Sequence, residues 1–146
     1  MSRIIVLCGL PASGKSHYAA RFGGGQIVKL SSDEIREKVF GDVSSQKYNG
    51  YVFSIMRMTA EKVLSAGCDV LIDSTNILAR YRKPWIDIGR RLGVPVVCIF
   101  INPDLKECLR RNSQRERRVP DDIIEKMYCQ LEPPDLREGF NEIIVY

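Results

Sequence analysis

The segment Gly9-Leu10-Pro11-Ala12-Ser13-Gly14-Lys15-Ser16 constrains this chain more than any other. It fits the pattern G-x-x-x-x-G-K-[ST], a loop whose glycines let backbone amides turn inward around an anion. A strand-like run, Ile4-Ile5-Val6-Leu7-Cys8, leads into it, and a helix-compatible run, Ser16 to Phe22, leads out. That context separates a phosphate-binding loop from a chance match in a glycine-bearing turn. The following helix presents its positive end to the same anion. Lys15 can then reach the β- and γ-phosphates of a nucleoside triphosphate while the Ser16 hydroxyl ligates Mg²⁺. Gly9, Pro11, Ala12, Ser13, Gly14, Lys15, Ser16 and His17 are the expected nucleotide-binding residues at this loop.

The 146 residues fit one domain, 1–146, long enough to bury a core without disulfides or a structural metal. No apolar run reaches membrane-spanning length, and the start of the chain lacks the layout of a signal peptide. The five cysteines are scattered and form no C-x-x-C pair, which favours reduced thiols in a cytosolic setting. His17 is the sole histidine, so histidine-pair mechanisms and histidine-based metal sites are excluded. The net charge of +4 suits polyanionic ligands without requiring them.

Apolar strand-like runs alternate with helical stretches, the pattern of an α/β domain with a mostly parallel, five-stranded sheet. The strands are expected at Arg3–Cys8, Gln26–Leu30, Val70–Asp73, Val94–Ile101 and Ile143–Tyr146. Gly23-Gly24-Gly25 reads as a helix-to-strand turn. Ser31 and Glu34 have the separation of a capping box and start a helix. A longer helix carries Tyr48, Val52, Ile55, Met56, Thr59 and Val63 on one stripe and stops at Gly67. Pro84 should start or kink a segment within Ala79–Leu92. Pro103 is expected at the first position of the next helix. A last helix, after Val119-Pro120, should turn Ile123, Ile124, Met127 and Leu131 inward.

Ligands of open α/β sheets bind beyond the carboxyl ends of the strands, and three polar sets fall there. Asp33 follows the second strand, with Arg36 one turn further on the same face. That carboxylate can accept the proton of an acceptor hydroxyl, and Arg36 can hold an anionic part of the acceptor. The alternative is that Asp33 complements the helix dipole and pairs with Arg36. Asp73 ends the third strand and suits the second Mg²⁺-organising position. Arg110, Arg111, Arg115, Arg117 and Arg118 crowd a stretch between two helices, which reads as an arginine-bearing lid at about 111–120 rather than as a solvated charge run.

The order of these pieces resembles the 5′-hydroxyl polynucleotide kinase domain of bacteriophage and bacterial RNA-repair enzymes, within the P-loop kinases of nucleoside monophosphate kinase type. The telling pieces are Ser31-Ser32-Asp33-Glu34-Ile35-Arg36, and Arg111-Asn112-Ser113-Gln114-Arg115 followed by Val119-Pro120 and Ile124-Glu125-Lys126-Met127-Tyr128. The resemblance covers almost the whole chain and implies a three-layer P-loop kinase fold. It implies that Asp33 is the general base and that Arg36 contacts an acceptor phosphate. Lys15 and Ser16 would serve ATP and Mg²⁺, Arg115 would stabilise the transferring phosphoryl group, and Arg111 would support the lid and the nucleotide. Two departures stand out: Ser74 occupies the slot where the phage domain has its carboxylate, one residue after Asp73, and Ser32 stands where the phage pattern has a basic residue. The resemblance does not extend to the phage enzyme's phosphatase domain, and phosphatase activity is not expected.

The expected activity is therefore ATP-dependent phosphorylation of a hydroxyl, with a nucleic-acid or other phosphorylated acceptor. A metabolite, sugar-nucleotide or antibiotic kinase is the alternative. A nucleotide switch ranks last, because no Asn-Lys-x-Asp guanine-reading segment is present. Tyr48, Tyr51 and Trp85 are the aromatic candidates for the acceptor mouth, with packing the expectation for each.

Overall fold

The chain alternates strand and helix: β1 (Ile4–Cys8), α1 (Lys15–Ala20), β2 (Ile27–Ser31), α2 (Ser32–Phe40), α3 (Asn49–Ser65), β3 (Asp69–Asp73), α4 (Ala79–Leu92), β4 (Val96–Phe100), α5 (Leu105–Ser113), α6 (Asp121–Gln130), a 3₁₀ turn (Leu136–Glu138) and β5 (Glu142–Val145). The computed structural model describes residues 2–21, 26–42 and 46–146, so the Gly23-Gly24-Gly25 turn lies outside the described residues. The strands form one sheet in the order β2-β3-β1-β4-β5, and every pairing is parallel. The chain moves outward from β1 to β2, returns to β3 beside β1, and then crosses to β4 on the other side. That change of direction puts the carboxyl end of β1, and the loop that follows it, at the ligand-binding crevice of such sheets.

Burial on both faces explains why β1 and β4 read as unbroken apolar runs. Ile4, Val6 and Cys8 face α3 and α4, meeting Val52, Met56, Ala60 and Leu64 from one and Trp85, Ile86 and Ile88 from the other. Ile5 and Leu7 point to the opposite face, with Leu71, Ile99 and Ala19 of α1. A third cluster, Leu10, Ile77, Cys108 and Ile124, ties α5 and α6 to the residues just beyond β1 and β3. The arginine-bearing stretch is thereby fixed to the carboxyl end of the sheet. All five cysteines are free thiols, and Cys8, Cys98 and Cys108 are buried as small core residues. Among the described residues no helix is long and apolar enough to cross a membrane.

Local details depart from the sequence pattern for identifiable reasons. Ser31 caps α2 by accepting from the Glu34 amide at 3.3 Å, but the Glu34 carboxylate pairs with Lys29 at 3.1 Å, so only half of a capping box forms. Pro103 precedes the cap of α5 instead of opening the helix: Asp104 is the cap, accepting from the Glu107 amide at 2.8 Å. α4 runs through Pro84 without a break in its assigned span. On α6, Ile124 is buried while its neighbour Ile123 is exposed, so the inward stripe is narrower than predicted.

Candidate active site

The loop between β1 and α1 is shaped by close approaches that only small residues permit. A Cβ on Gly9 would lie 2.7 Å from both the Ile101 carbonyl oxygen and Ser13 Oγ, well inside contact distance. Gly14 caps α1 at φ 109°, a left-handed conformation costly for any other residue. No side chain caps α1, so its first amides open toward the loop. Ala12 is also left-handed, at φ 62°, which costs an alanine about 1–2 kcal/mol. The Lys15 ammonium donates to the carbonyls of Gly9 at 3.0 Å and Leu10 at 2.7 Å. Ser16 and His17 are exposed on the first turn of α1.

Lys15 is electrostatically the centre of the site. Desolvation of the ammonium against its own loop lowers its pKa from 10.5 to about 8, although the residue as a whole is only half-buried. Asp73 and Asp33 favour its charged form and Arg115 opposes it, so loop, both aspartates and the arginine-bearing stretch share one field. Burial in turn raises the Asp73 carboxyl, with Lys15 the largest opposing influence. Because the folded pKa of Lys15 lies below its unfolded value, the native state binds fewer protons between pH 8 and 10.5, and its contribution to stability rises with pH across that window. A polyphosphate favours the ammonium form. ATP binding without divalent cation should therefore weaken as pH rises above 8. It should take up about one proton at pH 9, read by calorimetry in buffers of differing ionisation enthalpy. Lys15→Met should show no such uptake.

Asp33 and Arg36 are paired, Arg36 Nη1 to Asp33 Oδ1 at 2.8 Å, as the dipole-and-pair alternative required. The arginine is buried and aims inward, donating also from Nε and Nη2 to Asn49 Oδ1 at 3.0 and 2.6 Å. Among the described residues three of its five N–H groups are thus engaged, and two are left without a partner there. Asp33 is about half exposed, and Arg117 Nη2 approaches its other oxygen at 3.4 Å. That contact joins the arginine-bearing stretch to the start of α2.

The stretch itself is less loop than the sequence implies. Residues 110–113 are the last turn of α5, and the loop occupies residues 114–120. Arg111 donates to the Ser13 carbonyl at 2.8 Å and to Glu107 at 2.9 Å, bracing the phosphate loop from behind. Arg110 and Arg111 together hold the Glu107 carboxyl down to about 2. Buried Asn112 closes the base of the loop: its amide donates to the Val119 carbonyl at 2.6 Å and its oxygen accepts from the Val119 amide at 3.1 Å. Among the described residues, none pairs with the Arg115 guanidinium.

Three contributors had no assigned role in the sequence reading. Asn49 anchors Arg36, Asn112 staples the loop, and Arg82 is wholly buried against Glu138. Arg82 carries the one signal that was readable, because it shares a helical stripe with Trp85, Ile86 and Gly89, an unusual place for a charge. Of the aromatic candidates, Trp85 is core and Tyr48 stacks on Phe40 at 4.4 Å. Tyr51 is 68% exposed.

The AAA domain family model matches residues 4–134. L-seryl-tRNA(Sec) kinase of Methanococcus maripaludis is 26% identical, covering 94% of this chain and 56% of its own length. The bifunctional polynucleotide phosphatase/kinase of Schizosaccharomyces pombe is 27% identical over 96% of this chain and 32% of its length. The chain thus spans about half or less of these relatives. A chain of the Pnkp1/Rnl/Hen1 RNA repair complex superposes with a TM-score of 0.77 at 23% identity, covering 89% of this chain and 44% of that one. Chaetomium thermophilum Kti12, solved with ADP-AlF3, gives 0.75 at 14% identity over 98% and 88%. At these identities the solved structures establish a shared fold.

Proposed function

Because this chain belongs to the AAA domain family and has the fold of P-loop kinases, we propose that it transfers the γ-phosphoryl group of ATP to the 5′-hydroxyl of a polynucleotide or oligonucleotide. The observation that carries this reading is that the arginine-bearing stretch touches the phosphate loop, through Arg111 and the Ser13 carbonyl, and also Asp33, through Arg117, at the carboxyl end of the sheet where β3 ends in Asp73. Donor and acceptor machinery of phosphoryl transfer needs that proximity, whereas a nucleotide switch needs no base beside the γ-phosphate.

In this reading the loop amides and Lys15 hold the β- and γ-phosphates. Asp33 accepts the proton of the acceptor hydroxyl as its oxygen bonds to the γ-phosphorus and the bridging oxygen departs with ADP. Arg115 neutralises charge on the transferring group, and Arg36, paired to Asp33, adds positive charge beside the acceptor phosphate. The donor set fits Mg²⁺: Ser16 and Asp73 are hard oxygen ligands, and among the described residues no cluster of three metal-ligating side chains exists. The ion would accordingly be shared with the phosphates, supplying charge neutralisation to the leaving diphosphate.

A polynucleotide acceptor would find an exposed ring to stack a base on in Tyr51. The residue lies on the first turn of α3, two residues beyond Asn49, with its ring 6.4 Å from Phe40. Base stacking there, worth about 1–3 kcal/mol, predicts that Tyr51→Ala raises acceptor KM about tenfold with kcat unchanged. The same loss should appear when the 5′-terminal nucleotide of the acceptor is abasic, and the two losses should not add. The function itself is tested by incubating labelled ATP with a 5′-hydroxyl oligonucleotide and mapping the label. Label at the 5′ end supports it. Label on small metabolites alone overturns it.

A further inference from the structure

We infer that the buried Arg82–Glu138 pair is a positioning element of the candidate site, holding the Ser74–Asn76 turn so that Asp73 and the phosphate loop keep a fixed relation. The inference rests on the P-loop kinase reading of that site. Arg82 is 0% exposed on α4, and Glu138 comes from the 3₁₀ turn, 56 residues further on. Their contact is a fork: Nε to Oε1 and Nη2 to Oε2, both 2.9 Å. The guanidinium's remaining nitrogen, Nη1, donates to the Asn76 carbonyl at 2.8 Å.

Asn76 is where the turn is strained and where it is tied. It is a buried non-glycine residue at φ 47°. Its side-chain amide donates to the Leu7 carbonyl at 2.7 Å, and its carbonyl also accepts from the Cys8 thiol at 3.3 Å. One residue earlier, the Thr75 carbonyl accepts from the Gly9 amide at 2.9 Å, at the mouth of the phosphate loop. Asp73 stands immediately before this turn, at the end of β3. Without the Arg82 donor, the Asn76 carbonyl keeps only the weak Cys8 thiol donor, and the turn, still bonded to β1 through Leu7, loses its tie to α4.

Glu138 is itself fixed by its own turn, accepting from the Asp135 amide at 2.9 Å. The segment after α6 touches the same region a second time, where the Glu132 amide donates to the Ile77 carbonyl at 2.8 Å. The end of α6 and the turn beside Asp73 are therefore connected through the chain that follows α6.

The test separates positioning from mere support of the fold. Arg82→Met alone leaves a buried carboxylate without its partner and should lower the melting temperature. Combining it with Glu138→Gln removes both charges and leaves an oxygen for the Asp135 amide, so most of the melting temperature should return. Calorimetry then compares ATP affinity with and without Mg²⁺. In the double variant, affinity for ATP alone should stay within about threefold of wild type, and the tightening produced by Mg²⁺ should fall at least tenfold. Arg82→Lys provides a second variant, since a single ammonium cannot serve both Glu138 oxygens and the Asn76 carbonyl; it should keep the fold and lose the same Mg²⁺ effect. A well-folded variant of either kind with wild-type Mg²⁺ dependence overturns the inference. Failure of the wild-type protein to bind ATP at all would overturn the underlying reading and this inference with it.

Discussion

Asp33→Ala should abolish phosphoryl transfer while leaving ATP affinity within about threefold of wild type. The carboxylate contacts no part of the phosphate loop: its partners are Arg36 and Arg117, and about half of its surface is free for an acceptor. Alanine also strips Arg36 of a partner inside the protein, which makes Asp33→Asn the sharper variant. The amide keeps an oxygen at the position that accepts from Arg36 Nη1, and gives up the basicity together with the exposed, long contact to Arg117. General-base catalysis contributes about 10²–10⁴-fold, so kcat for Asp33→Asn should fall by that factor with a nearly unchanged melting temperature. Turnover close to wild type in the asparagine variant would remove Asp33 from the base role and leave it as a helix-start residue paired to Arg36.

Arg115→Ala carries the second large effect, a loss of about 10²-fold or more in kcat with acceptor KM little changed. Its guanidinium has no partner among the described residues, yet it is close enough to oppose the charge on Lys15. Removing it therefore strands no buried group, and the melting temperature should hold. Arg111 differs. It braces the Ser13 carbonyl and shares Glu107 with Arg110, so Arg111→Ala should weaken nucleotide binding as well as turnover. Steady-state kinetics and ATP calorimetry on the two variants distinguish a charge used in the transition state from a strut of the loop. Loss of acceptor binding alone in Arg115→Ala would contradict the assignment.

Features written in contiguous residues were legible before folding. The phosphate loop, the apolar strands and the position of Asp73 at the end of β3 all depend on local pattern, and the sheet follows from the alternation of strand and helix. What escaped depends on pairs distant in sequence. Arg36 is assigned to an acceptor phosphate from its spacing to Asp33, and its further bond to Asn49, thirteen residues on, is not written in that spacing. Arg82 and Glu138 meet across 56 residues, and nothing beside either one announces the other. Glu34 shows the same limit at short range: its spacing suits the capping box, yet Lys29 at the edge of the sheet takes its carboxylate. Ile123 illustrates a period that is correct and a stripe that is too wide, since α6 buries only the side holding Ile124 against Leu10 and Ile77.

In the proposed reaction one site joins ATP on the phosphate loop to a nucleic-acid hydroxyl beside Asp33. The most direct measurement is kcat/KM for a 5′-hydroxyl oligonucleotide against its 5′-phosphorylated twin and a panel of sugars, nucleosides and other alcohols, in wild type and in Asp33→Asn. Transfer to the 5′-hydroxyl oligonucleotide should exceed that to every small alcohol, be absent at the 5′ end of the phosphorylated twin, and be lost in the variant. Efficient phosphorylation of a small alcohol with both oligonucleotides inert would contradict the proposed reaction.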